Sequence, residues 1–463
     1  MFAKDIYVGR RQRLKKQVGK GLILLLGNEE SSMNYRDNLY PFRQDSSFLY
    51  FLGMDKSGLA ALIDADNDKD IVFGDDLTMD QIVWTGPQPS LAEQAAPAGI
   101  TDTRSYAELG KQLASARAAG RTIHYLPPYR PENLLKLSEW LGVAPSSVKG
   151  GASVGLIKAV VAQRSVKSAE EIVQIEEAVN TTAAMHLAAI KGARPGMTEA
   201  QLAGGLQGVA ISGGGNLAFP TILTVNGQVL HNHYGPTVMQ EGRLAICDSG
   251  AENAMHYAGD MTRTFPVGKR FTSLQREMYD IVLGSQQAAV DALRPGVLFR
   301  DVHALAAEKL VEGLKGAGVM RGDPKEAVAA GAHTAVFQCG LGHMMGLDVH
   351  DMEDLGEEFV GYTDTLKKSS EFGWKSLRLA RALEPGFVVT IEPGLYFIPE
   401  LMDQYKAEKK YMDFINYDKL NSLREFGGIR IEEDLLITEG GSRLLGKPLA
   451  KTADEIERLR ESA

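Results

Sequence analysis

A chain of 463 residues exceeds the size at which one core keeps growing, so two domains are expected, the second the larger. Its composition, 44% hydrophobic and 24% charged, argues against disorder, and a net charge of −9 with dispersed basic residues argues against a nucleic-acid partner. No apolar run approaches the roughly 20 residues that span a bilayer, so no membrane partner is expected. With Cys247 and Cys339 the sole cysteines and no signal-peptide pattern behind Met1–Lys16, a cytoplasmic address is expected.

In chain order, the short apolar runs at 21–26, 48–52, 60–64, 70–73 and 122–126 read as strands, and 106–118 and 131–141 as helices. This is an α/β arrangement without a cluster of metal-ligand residues, as befits a scaffold or assembly module. The Gly-, Ser- and Ala-rich stretch 144–155 reads as a linker, which places the boundary near residue 160 and the domains at 1–160 and 161–463. Ser168 with Glu171 forms a capping-box signal for a long helix reaching about Ile190.

The second domain carries an internal echo. A helix, then Arg194-Pro-Gly-Met197, then a helix at 198–209 recurs as a helix, Arg294-Pro-Gly-Val297 and a helix at 299–314. Two related halves with a cleft between them would produce this pattern, although such turns also end helices by chance. Strand-like runs follow at 222–225, 244–247, 257–265, 388–391 and 429–437, and the unusual acids lie in or beside them. Rigid strands fix ligand geometry well.

Asp248, in Cys247-Asp-Ser-Gly-Ala-Glu252, and Asp260, in Ala258-Gly-Asp-Met-Thr-Arg-Thr264, can approach each other if their strands form a hairpin. Two carboxylates brought together raise one another's pKa unless a cation intervenes, although Asp beside Gly is also an ordinary turn residue. In Cys339-Gly-Leu-Gly-His-Met-Met-Gly-Leu-Asp-Val-His350, His343 is a candidate ligand and His350 a candidate hydrogen-bond donor or proton carrier. Either is otherwise a buried structural histidine. Glu392 ends an apolar strand before Pro393 and Gly394, and Glu432 sits in Ile431-Glu-Glu-Asp434, where a buried ionised acid requires a cation or a proton. Two Asp, two Glu and one His form an oxygen-rich donor set that suits a pair of divalent ions such as manganese or cobalt better than one zinc. Two such ions about 3.5–4 Å apart polarise a carbonyl and make a bridging hydroxide available near neutral pH, so hydrolysis is the expected chemistry.

These motifs resemble the pita-bread metallopeptidases, a family that includes methionine aminopeptidase, aminopeptidase P, prolidase and creatinase. Tyr40-Pro-Phe-Arg-Gln-Asp-Ser46 followed by Phe51-Leu-Gly53 extends the resemblance over essentially the whole chain and towards the aminopeptidase P and prolidase branch. The resemblance implies an α+β chain with a C-terminal pita-bread catalytic domain and a smaller N-terminal α/β creatinase-like domain. It implies two divalent ions per subunit, manganese first with cobalt or zinc as alternatives. Asp248 would bind one ion, His343 and Glu392 the other, with Asp260 and Glu432 between them.

His231 and His350 would bind the peptide carbonyl, Glu392 would shuttle a proton, and Arg430 would orient a ligand carboxylate, whereas His233 is an adjacent decoy. The implied activity is release of the residue ahead of proline from peptides with proline at the second position, by a homodimer or homotetramer. The alternatives are an Xaa-Pro dipeptidase and, more remotely, a creatinase-like or non-catalytic relative. Several features depart from the family pattern: an Asp248-to-Asp260 interval one residue longer, Cys339 where many relatives carry histidine, and insertions at 351–381 and 399–425. Trp84 lies in a segment similar to one that reaches a neighbouring subunit's site in some relatives.

Overall fold

The computed structural model describes residues 1–462, which divide into two compact units. The first comprises Met1–Arg164 with Met352–Phe359, and the second Ser165–Asp351 with the chain from Val360 onward. No helix among the described residues is long and apolar enough to cross a membrane.

The first unit is built on a five-stranded mixed sheet. Across the sheet its strands run Asp102–Arg104, Lys69–Phe73, Ala60–Asp64, Leu22–Leu26 and Ile123–Tyr125. One face is covered by Leu109, Leu113 and Leu137 of the helices Leu109–Ala118 and Pro131–Leu141. The run 48–52, expected as a strand, is instead part of the helix Ser46–Leu52. Asp45 caps it by accepting from Phe48 N at 2.8 Å, Gly53 at φ 64° ends it, and every residue of it is buried. Its uniform apolarity therefore reflects burial on all sides rather than a sheet. The stretch 144–155 is not a flexible linker either, because Pro145–Val148 and Lys149–Gly151 are helical turns and Val148 is fully buried.

The second unit opens with the helix Ala169–Gly192, whose capping box pairs Ser168 with Glu171. The helix Glu199–Ser212 follows, and the helices Ser273–Ala292 and Phe299–Gly316 form a second pair. The two Arg-Pro-Gly turns repeat one another bond for bond. Gly196 N donates to Met239 O (2.9 Å) and Met239 N to Met197 O (2.8 Å), while Gly296 N donates to Leu383 O (2.8 Å) and Leu383 N to Val297 O (2.9 Å). Both glycines have φ near 90°, a conformation that side chains oppose. Each turn thus staples a helix pair to the chain segment entering a strand, Leu244–Ser249 in one half and Val388–Ile391 in the other.

Leu244–Ser249 lies between Met261–Pro266 and Ile222–Thr224, and Glu433–Thr438 between Val388–Ile391 and Gly441–Leu444. The strand expected at 257–265 begins only at Met261, because Asn253–Tyr257 closes a turn with His256 at φ 65°. The run 429–437 is two strands. Gly428–Arg430 pairs with Gly394–Tyr396, and after a break at Ile431–Glu432 the chain pairs with Val388–Ile391. The segment 399–425 contributes Met402, Tyr405, Ile415 and Leu420 to the main core and is packed, not loose.

Two core histidines tie stability to pH. His303 and His333 are each 1% exposed, and neither ring nitrogen of either meets a hydrogen-bond partner. Burial pushes their pKa values down to about 3 and about 4. The unfolded chain takes up protons at both near pH 6.5 and the folded protein does not, so their contribution is complete above that pH and is lost as pH falls toward 4. Each is expected to cost up to about 1.4 kcal/mol per pH unit within that window. In calorimetry the melting temperature should fall between pH 7 and pH 5, and fall less in the His303→Leu/His333→Leu double variant. An equal fall in both proteins would count against the assignment.

Candidate metal centre

The site begins as a register. In the antiparallel pair Leu244–Ser249 and Met261–Pro266, Asp248 faces Thr262 and Ser249 faces Met261, which sets Asp260 immediately before the second strand. The two chains touch at Gly250 and Gly259, where a Cβ on Gly250 would lie 1.9 Å from Gly259 O, so a side chain there would prise the aspartates apart.

In the other half, a loop runs alongside Val388–Ile391. Thr390 N donates to His343 O (3.0 Å), His343 N to Thr390 Oγ1 (3.1 Å), and Glu392 N to Leu341 O (2.8 Å). His343 and Glu392 are therefore placed by the same pairing. Glu432 joins them where its N donates to Thr262 O at 3.1 Å and Arg263 Nη1 donates to Glu432 O at 2.7 Å.

Asp260, His343 and Glu432, all buried, each offer a ligand atom within 4.8 Å of the others. His343 Nε2 is 3.5 Å from Asp260 Oδ2 and 3.5 Å from Glu392 Oε1. Its Nδ1 lies 3.0 Å from Met344 O, which places the proton on Nδ1 and leaves the Nε2 lone pair facing the acids. Asp248 stands at the edge of this group, its Oδ2 held at 2.6 Å by Arg430 Nη2. Arg430 is itself fixed by Tyr396 Oη (2.8 Å) and Thr262 Oγ1 (3.1 Å).

Burial raises the pKa of Asp260 well above the usual carboxylate range, with the charge of Asp248 adding to it. Burial likewise raises Glu432 strongly, with Asp260 and Glu392 adding, and it raises Glu392. It lowers His343. Asp260 Oδ1 and Glu432 Oε1 are buried and meet no donor. Buried oxygens of this kind are stable either as acids or as ligands of a cation. An oxygen-rich set with one oriented imidazole nitrogen fits divalent ions.

His350 stacks edge-on against His343 with ring centroids 4.3 Å apart. His231 lies on the 225–235 loop, and its pKa is lowered first by partial desolvation of the ring and then by Arg430, with Arg378 also contributing. His233 is drawn to its own hairpin, with Nδ1 3.3 Å from Thr221 O. Cys339 Sγ lies 3.9 Å from Tyr396 Oη, and burial pushes its thiol up to about 12, so it is neutral.

Three supporting side chains escaped the sequence reading. Thr262 Oγ1 donates to Glu432 Oε2 at 2.7 Å, Thr390 Oγ1 reaches Glu392 Oε1 at 3.4 Å, and Asp434 Oδ2 accepts from Asp260 N at 3.0 Å. The strand alternation from Asp260 through Thr262 was the one available signal for any of them.

A family model described as metallopeptidase family M24 matches residues 173–439, and one described as the aminopeptidase P N-terminal domain matches residues 7–124. The Xaa-Pro aminopeptidase of Escherichia coli (strain K12) is 31% identical, over 100% of this chain and 99% of that protein. The Xaa-Pro dipeptidase of Homo sapiens is 29% identical, over 98% and 92%. Among solved structures, E. coli aminopeptidase P with the inhibitor Pro-Leu superposes with a TM-score of 0.80 at 29% identity, covering 100% of this chain and 99% of that one. The zinc-substituted enzyme in complex with product gives the same score, identity and coverage.

Proposed function

The chain belongs to metallopeptidase family M24, and we propose that it is a metal-dependent exopeptidase that releases the N-terminal residue ahead of proline. The observation that carries this reading is the convergence of Asp260, His343 and Glu432 with unpartnered buried oxygens, Glu392 beside them and Asp248 at their edge. In this reading Asp248 would hold one ion, His343 and Glu392 the other, and Asp260 and Glu432 would serve both. Divalent ions held there would supply polarisation of the scissile carbonyl and an acidified water near neutral pH. Manganese is the proposed pair, with cobalt or zinc as alternatives, on the strength of the oxygen-rich donor set.

The remaining roles fall to this chain's own groups. An Xaa-Pro bond is a tertiary amide whose nitrogen leaves only once protonated. Glu392, whose Oε1 lies 3.5 Å from His343 Nε2, would collect a proton and deliver it there. His231 and His350 donate N–H bonds to the carbonyl oxygen as charge develops on it. Arg430 keeps the Asp248 carboxylate pointed into the site. A cytoplasmic setting agrees with two free cysteines. A homodimer or homotetramer agrees with Met79, Val83 and Trp84 on a helix that buries none of its residues.

A second reading, Xaa-Pro dipeptidase, is favoured by one observation. The charge of Arg378 acts on both His231 and His343, and a guanidinium near these two rings would suit the free carboxylate of a dipeptide. Hydrolysis of an Xaa-Pro dipeptide and an Xaa-Pro-Yaa tripeptide by the manganese-loaded protein separates the two. The tripeptide is expected to be the better substrate, and Arg378→Met to spare it. A strict preference for the dipeptide, lost in Arg378→Met, would replace the first reading with the second.

A further inference from the structure

His231 is the least supported of the proposed site residues, because it rides on a loop whose neighbours Val229, Tyr234 and Val238 are 48%, 42% and 49% exposed. Such a loop is mobile unless something buried holds it. Its two stems converge on one side chain. Glu199, 1% exposed at the start of the helix Glu199–Ser212, accepts from Val225 N at 2.9 Å and Thr224 Oγ1 at 3.1 Å through Oε1. Through Oε2 it accepts from Gly235 N at 3.2 Å. Thr224 Oγ1 in turn accepts from Asn232 Nδ2 at 2.8 Å, next to His231. These partners are all neutral donors, and burying a carboxylate among neutral groups is costly where an apolar residue would pack as well.

We infer that Glu199 is a positioning residue that clasps both stems of the 225–235 loop and thereby holds His231 over the metal site. The inference rests on the reading of His231 as a carbonyl-binding group. Folding does not depend on this clasp alone, since Glu199 N still donates to Thr237 O and Ala200 N to Gly235 O, each at 3.0 Å, when the side chain is removed. The Arg430 guanidinium, 3.5 Å from Leu230 O, ties the same loop to Asp248. Loss of the clasp should therefore loosen the loop without emptying the metal centre.

The test uses the full-length, manganese-loaded protein and an alanyl-prolyl-alanine substrate. Glu199→Ala should lower kcat about 10- to 100-fold with KM and metal content little changed, because misplacing a group by about an ångström costs that much. Glu199→Gln should fall between, keeping the acceptor for Val225 N while turning a donor toward Gly235 N. Hydrogen exchange should quicken at least about tenfold in peptides spanning 225–235 and stay unchanged at 244–266 and 388–396.

A double-mutant cycle with His231→Ala decides whether Glu199 acts through that histidine. Glu199→Ala should add nothing to kcat once His231 is gone. Additive losses, or unchanged exchange in the loop, would overturn the inference. If His231→Ala alone left kcat intact, the role of His231 would fall and this inference with it, whereas faster exchange in Glu199→Ala would still identify the clasp as real.

Discussion

Asp260→Asn is expected to lower Xaa-Pro hydrolysis at least ~100-fold and to reduce bound metal, measured by elemental analysis of the purified protein. The substitution keeps the volume and the backbone N–H that donates to Asp434 Oδ2, and it replaces a carboxylate whose Oδ1 meets no donor. An amide oxygen has little of the charge that attracts divalent ions, so a residue proposed to serve both of them is where the expected loss is greatest. The same change relieves a buried acid whose pKa stands far above the usual range. The metal-free variant should therefore melt no lower than metal-free wild type. Activity within about tenfold of wild type would remove Asp260 from the proposed centre.

Arg263→Met is expected to destabilise the protein by about 3–5 kcal/mol, the largest stability effect of a single change anticipated in this chain. Its guanidinium is fully buried and donates to Glu433 Oε1 (2.5 Å), Glu432 O (2.7 Å), Thr262 O (3.1 Å) and Ala450 O (2.9 Å). Methionine fills similar space but strands the Glu433 carboxylate, whose Oε2 already lacks a partner. Adding Glu433→Gln removes the stranded charge and should recover much of the loss. Urea midpoints for the two single variants and the double variant check this. A loss under about 1 kcal/mol for Arg263→Met would show that the pair is not holding the break at Ile431–Glu432 in place.

Much of the fold was legible where a local rule acts alone. The Ser168–Glu171 capping box announces a helix because both of its partners lie within one turn. The Arg-Pro-Gly turns were visible because a positive φ demands glycine. Phe48–Leu52 misled because a helix buried on every side and a short buried strand share one hydrophobic pattern. The run 429–437 misled because no proline or glycine marks the break at Ile431–Glu432, which is imposed by pairing with two different sheets.

The acids and histidines of the centre could be singled out by residue type and by their position beside apolar strands. Thr262, Thr390 and Glu199 could not. They are common residues, and their partners Glu432, Glu392 and Gly235 are made neighbours only by long-range pairing.

The repeated Arg-Pro-Gly staple has a consequence for how such a protein changes over time. Each half anchors its own strand at the staple, and the two return paths differ greatly in length: from Gly196 to Leu244 in one half, and from Gly296 to Val388 in the other. The second path absorbs the whole segment 317–381 without disturbing the bond from Gly296 to Leu383. That path also carries His343 and His350, so residues gained or lost along it are tolerated only where they leave the pairing of His343 with Thr390 intact.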